Sequence, residues 1–115
     1  MIVVLNLFDL IPGQEAVYAE YLRRVQSLLD RHRARVLCYG QTRARFMEGQ
    51  SQEYCGIIAY ESPDDLCRFS RDPEFAEIRA LRDRSTTNYA LTVVEQVGIE
   101  ETARILAGEA QRTEK

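Results

Sequence analysis

EYCGIIAYESPDDLCRFSRDPEFAEIRALRDRS, residues 53–85, carries the signals that decide the fold. Tyr54–Tyr60 is short, rich in aromatic and β-branched residues and free of Pro, which predicts a strand. Ser62-Pro63-Asp64-Asp65 predicts a helix start: Ser62 can cap, Pro63 suits the first helical position, and two carboxylates sit at the positive end of the helix dipole. Asp72-Pro73-Glu74 repeats that signal, so the helical region is expected to break and restart there. In its second piece Phe75, Ile78 and Leu81 recur every three residues, an apolar stripe bordered by Arg79, Arg82 and Arg84.

The rest of the chain varies this unit. Residues 2–8 predict a first strand, and Pro12-Gly13 turns it into a helix over residues 14–32. Val17, Tyr21, Val25, Leu28 and His32 form that helix's stripe, with Tyr18, Leu22 and Leu29 beside it. Residues 35–46 predict a second strand in which Gly40 marks a bulge or close approach. The polar run at 48–52 predicts a hairpin turn into the third strand, and residues 86–97 a fourth strand. Residues 1–97 are therefore read as one domain. Residues 98–115 are read as a C-terminal helix or flexible tail, peripheral or in contact with a partner subunit.

The order β-α-β-β-α-β predicts a ferredoxin-like α+β fold, an antiparallel sheet with its helices on one face. Alternation then poses a question. Val3, Leu5 and Leu7 oppose Ile2, Val4, Asn6 and Phe8; Cys55, Ile57 and Ala59 oppose Tyr54, Gly56, Ile58 and Tyr60; Tyr89, Leu91 and Val93 oppose Asn88, Ala90, Thr92 and Val94. Assigning the largely aliphatic sets to the helices leaves the mixed sets outward, still too apolar for water. A second copy is the economical cover, so a face-to-face homodimer with a semi-polar space between its sheets is expected.

Composition excludes several classes. The chain has 115 residues, 15 basic and 18 acidic, for a net charge of −3. With no aromatic–basic ladder, nucleic acid is not the expected partner. No apolar run reaches the roughly 20 residues of a membrane span, and the apolar start lacks a basic leader, so a cytoplasmic location is expected. Cys38, Cys55 and Cys67 are odd in number and widely spaced, and His32 is the lone histidine, so neither a disulfide framework nor a metal site is expected.

A few side chains could carry chemistry. Tyr39, Gln41, Arg43 and Arg45 share one side of the second strand. Arg43 is suited to hold a carboxylate, the alternative being pairing with Glu48 or Glu53. Asn6, polar among apolar neighbours, could stabilise a developing oxyanion or satisfy backbone at a dimer seam. His32 is the one side chain whose ordinary pKa suits acid–base work near neutrality, and it also suits a helix C-terminus. Tyr60 and Tyr54 are candidate phenol donors and Asn88 a further polar group on the mixed face, with Tyr89 assigned to the other face. Arg82 either closes a pocket at the sheet end or pairs with Glu77 or Asp83. The sequence contains no nucleophile–base–orienter set and no phosphate loop.

The element order, Ala16 to Leu22 in the pattern A-x-Y-x-x-Y-L, the Glu48-Gly49 pair, and Asp72-Pro73-Glu74-Phe75 leading to Ala80-Leu81-Arg82 resemble the domain-of-unknown-function 1330 family. The likeness covers about residues 2–97. That family lies within the dimeric α+β barrel superfamily, with antibiotic-biosynthesis monooxygenases, muconolactone-isomerase-like enzymes and haem-degrading proteins. The resemblance implies a ligand pocket between sheet and helices or at the barrel, but no established reaction. The chain has no Trp, so no tryptophan-dependent site carries over, and one His does not supply a haem site. No cofactor is expected. The resulting expectation is a small-molecule-binding homodimer, in its enzymatic form a cofactor-free oxygenase or isomerase of a small aromatic or unsaturated acid. In that form Arg43 anchors the acid, Tyr39, Tyr60, Asn88 and Arg82 complete the ligand contacts, and His32 and Asn6 serve the chemistry. The alternative is a non-catalytic dimeric scaffold or ligand sensor.

Overall fold

Residues 1–43 and 52–109 are described by the computed structural model, in the order β1 (Ile2–Leu10), α1 (Glu15–Arg31), β2 (Arg35–Gln41), β3 (Tyr54–Tyr60), α2 (Pro63–Arg71), α3 (Pro73–Ser85), β4 (Thr86–Glu95) and α4 (Ile99–Leu106). Arg45, most of the turn expected at 48–52, the far end of the second expected strand and the last tail residues lie outside the described residues. The strands form one antiparallel sheet in the order β2-β3-β1-β4, and the fold is a ferredoxin-like α+β arrangement. The expected break in the helical region is present. Ser62 caps α2 by accepting from the Asp65 amide, Asp72 caps α3 by accepting from the Glu74 amide, and Pro occupies the first helical position each time.

Strand register sorts the side chains into rows. Val36, Ile58, Val4 and Val93 lie side by side across the sheet, as do Tyr39, Gly56, Asn6 and Leu91. These rows face the helices: Val4, Phe8 and Tyr60 belong to one buried cluster with Tyr18, Tyr21, Val25 and Leu28 of α1, Phe69 of α2, and Phe75 and Ile78 of α3. The opposite face carries the rows Arg35–Ala59–Val3–Val94, Cys38–Ile57–Leu5–Thr92 and Gly40–Cys55–Leu7–Ala90.

This corrects the expected assignment in β1 and β3. Their mixed sets, not the aliphatic ones, meet the helices; in β4 Tyr89, Leu91 and Val93 do lie on the helix side. The reason is volume. Helices stand off a sheet, and the gap is filled by large side chains, Phe8 stacking between Tyr54 and Tyr89 at centroid distances of 5.7 and 5.1 Å and tilting against Tyr18 at 5.1 Å. The small aliphatic residues suit the flat outer face. The semi-polar space therefore lies between sheet and helices.

Two carboxylates tie the helices together. Asp65, only 2% exposed, accepts from Arg33 at 3.1 Å and from Arg68 at 2.5 Å. Asp72 accepts from Arg31 at 3.1 Å and pairs with His32 Nε2 at 2.8 Å, joining the C-terminus of α1 to the N-terminus of α3. Arg68 first, then Arg33, holds the Asp65 carboxyl below the usual carboxylate range, and the His32 hydrogen bond does the same for Asp72. A depressed carboxyl pKa contributes stability that is present above the unfolded value near 4 and is lost as pH falls through the folded value. The urea midpoint is therefore expected to hold above about pH 5 and to fall below it. In Asp65→Asn that acid-side fall should be shallower, since one of the carboxyls driving it is gone; an unchanged profile would mean the Arg33–Asp65–Arg68 cluster contributes nothing.

Candidate functional site

Because aromatic residues hold α1 and α3 off the sheet, a cavity of about 560 Å³ lies between them. Its floor is the helix side of the sheet and its roof comes from α1, α2 and α3. Asn6 stands in the floor. Its Nδ2 donates to the Gly56 carbonyl at 3.2 Å, and its Oδ1 accepts from the Tyr89 hydroxyl at 2.9 Å, so the buried amide is paired on both sides. The ring of Tyr39 crosses from the edge strand over Gly56, where it reaches the Tyr18 hydroxyl. A Cβ at position 56 would lie 2.5 Å from that ring, so only Gly leaves the space.

The positive charge comes from α3. Arg82 lines the cavity with its side chain 19% exposed, its guanidinium 5.1 Å from the Tyr89 ring centroid and 5.8 Å from that of Phe75. Such stacking holds the planar group in place without using up its N–H donors. Its Nε and Nη2 donate to Asp83 at 3.2 and 3.1 Å, a pair whose carboxylate is largely in solvent. Arg79 also lines the cavity, and no Asp, Glu or His does among the described residues. Burial pushes the hydroxyls of Tyr18, Tyr39, Tyr60 and Tyr89 up, and that of Tyr21 up to about 12, with the Arg82 charge opposing the rise at Tyr21. At neutral pH these phenols are donors rather than bases.

Asn6, Tyr39, Tyr60 and Arg82 thus meet around one cavity. The other candidates stand elsewhere. Arg43 is exposed beyond the end of β2 and is not a lining residue. Asn88 sits at the bulge of β4 with a φ of 53°, its amide on Asp9 at 3.2 Å and its carbonyl accepting from Gln52. His32 lines a separate open groove with Cys67, Arg68 and Arg71, where Asp72 engages its Nε2. Tyr89, Tyr18 and Gly56 were not singled out from the sequence as site residues. A glycine within an aromatic strand was the available signal for the close approach of Tyr39.

The family described as Domain of unknown function (DUF1330) matches residues 8–97. Among solved structures, the chain is similar to RPA0582, a protein of unknown function from Rhodopseudomonas palustris, at 21% identity and a TM-score of 0.75, covering 85% of this chain and 83% of that one. It is also similar to a dimeric ferredoxin-like protein of unknown function from Jannaschia sp. CCS1 (12% identity, TM-score 0.69, 83% and 98% covered). A third is SnoaB, a cofactor-independent oxygenase from Streptomyces nogalater (14% identity, TM-score 0.63, 85% and 94% covered). No curated protein matches the chain. At these identities the likeness is one of fold.

The Tyr39–Gly56 contact has a direct test. Gly56→Ala drives the Tyr39 ring from its place, an overpacking expected to cost about 1–3 kcal/mol in urea unfolding. In a Tyr39→Ala background the same substitution should cost little, giving a coupling of about 1 kcal/mol or more. Equal costs in both backgrounds would show that the ring does not rest on Gly56.

Proposed function

The chain belongs to the DUF1330 family, and we propose that it is a homodimer that binds a small aromatic or unsaturated organic acid in the cavity between its sheet and helices. The observation that carries this reading is Arg82: a half-buried guanidinium, braced on two aromatic faces, at the wall of a cavity lined mainly by apolar and phenolic side chains, with Asn6, Gln26, Ser70 and Arg79 as its other polar members. A planar cation in a low-dielectric site favours a carboxylate, and the Asn6–Tyr89 pair offers a fixed dipole beside it. The role first expected for Arg43 passes to Arg82.

Dimerisation is supported by the outer sheet face. Its three central rows contain one charge, Arg35 at the edge, and otherwise Val, Leu, Ile, Ala, Cys, Thr and Gly, with Asp9 beyond them near the end of β1. A flat aliphatic face of this kind matches the inner surface of a two-sheet stack, with sheets about 10 Å apart. Proteins of the same fold from Jannaschia sp. CCS1 and Bacteroides fragilis are described as dimeric.

Ligand holding or sensing is favoured over turnover, because no described lining residue accepts a proton at neutral pH: the tyrosines are kept protonated and His32 lies in another groove. The enzymatic reading, cofactor-free oxygenation or isomerisation, draws support from the Streptomyces nogalater oxygenase of this fold. It would need a substrate acidic enough to lose its proton without a strong base, with Arg82 and Asn6 stabilising the anion.

Benzoate and 3-phenylpropenoate are expected to raise the melting midpoint of the wild type in a dose-dependent way, the stabilisation reaching about 2.7 kcal/mol at a hundredfold excess over Kd. Arg43→Ala should respond alike and Arg82→Gln should not; a response surviving in Arg82→Gln would remove Arg82 as the anchor. Oxygen uptake or isomerisation of a stabilising acid would establish turnover. For the dimer, sedimentation should find two copies in the wild type and one in Leu5→Lys or Ile57→Glu. A dimer that persists in both variants would place the interface elsewhere.

A further inference from the structure

The cavity is polar at one end of its floor and aliphatic along the rest. The row holding Asn6, with Tyr89 and Arg82 close by, gives way two residues along the strands to Val36, Ile58, Val4 and Val93. Two residues further on, Tyr60 stands opposite Ile2. Strands advance about 3.4 Å per residue, so the Asn6 row and the Tyr60 row are roughly 14 Å apart. The lining from α1 and α2 includes the hydrocarbon side chains of Leu22, Val25, Leu29 and Leu66, beside the polar Gln26 and Ser70. A compact acid would occupy only the polar end.

We infer that the preferred ligand is an elongated amphipathic monocarboxylic acid, its carboxylate at Arg82 and its hydrocarbon body lying over Ile58 and Val4 toward Tyr60. This rests on the reading of the cavity as an acid-binding site and adds the shape and polarity of the acid. A polar group in the middle of the body would lie over the aliphatic row of the floor, which offers it no donor, so acids with a mid-chain carboxylate or hydroxyl are disfavoured. Asp83 already engages Nε and Nη2 of Arg82, but from the solvent side, where such a pair is weak enough to share the guanidinium with a ligand. The floor extends to exposed side chains on both edge strands, Val36 at 49% and Leu91 and Val93 at 52%, so a long body has apolar surface to cover before it reaches water.

Titration calorimetry with butanoate, hexanoate, octanoate and decanoate, each below its micellar concentration, tests this on the whole chain. Kd should fall roughly fourfold per methylene while the body still has aliphatic floor beneath it, then level. Ile58→Thr should leave butanoate unchanged and remove most of the gain for octanoate; Val36→Ser, on the exposed edge strand, serves if the first variant does not fold. Arg82→Gln should weaken every length alike. Equal Kd for butanoate and decanoate, or binding of benzoate without the longer acids, would overturn the elongated ligand and leave the acid-binding reading standing. Failure of all acids would overturn both. Wild-type affinities retained at every length in Arg82→Gln would mean apolar partitioning without a carboxylate site there.

Discussion

Phe8, two residues from the end of β1, is wholly buried, stacked between Tyr54 and Tyr89 and tilted against Tyr18 and Tyr39. Its direction sets that of its neighbours, because side chains alternate along a strand and a slip of one residue would invert the whole set. With Phe8 toward the helices, Val4 and Asn6 must follow, and Val3, Leu5 and Leu7 must face the other way. Register then carries the choice across β3 and β4. The cavity, its polar floor and the aliphatic outer face all follow from where one aromatic ring is buried.

The same packing explains how an amide comes to stand in an apolar sheet. Asn6 is tolerated because Gly56 offers a carbonyl on one side and Tyr89 a hydroxyl on the other. Both partners depend on the aromatic filling: Tyr89 is placed by its stack on Phe8, and Gly56 leaves room for the Tyr39 ring. Arg82 is braced on Tyr89 in turn. Tyr89 thus joins Phe8, Asn6 and Arg82, and changes at Phe8 should reach the guanidinium without touching it. Sheet and helices are held apart by rings rather than drawn together by aliphatic side chains. That is why a cavity of about 560 Å³ persists in a chain of this size.

Much of the fold was legible locally. The caps at Ser62 and Asp72, the prolines that follow them, and the helical period of Tyr21, Val25 and Leu28 each act within a few residues, and each appears in the structure. Periodicity also showed that every strand has two faces and that neither is fit for open water. It did not show which face meets the helices. That depends on comparing how well two apolar sets fill a gap whose width is set by elements far away in the chain. Purely aliphatic residues looked like the better core, yet they were too small for the space.

The candidate site divides along the same line. Asn6, Tyr39, Tyr60 and Arg82 were identifiable by chemical type and converge on the cavity, whereas Arg43, Asn88 and His32 are equally suited by type and stand outside it. Sequence by itself determined the element order, the ferredoxin-like class and the presence of two sheet faces needing cover, because these arise from short-range spacing and capping. Only the tertiary structure decided that the aromatic, amide-bearing face looks toward the helices and that Arg82 supplies the cation at its wall. Those outcomes depend on register between residues as far apart along the chain as Ile2 and Glu95, and on the volume left when rings from separate elements meet.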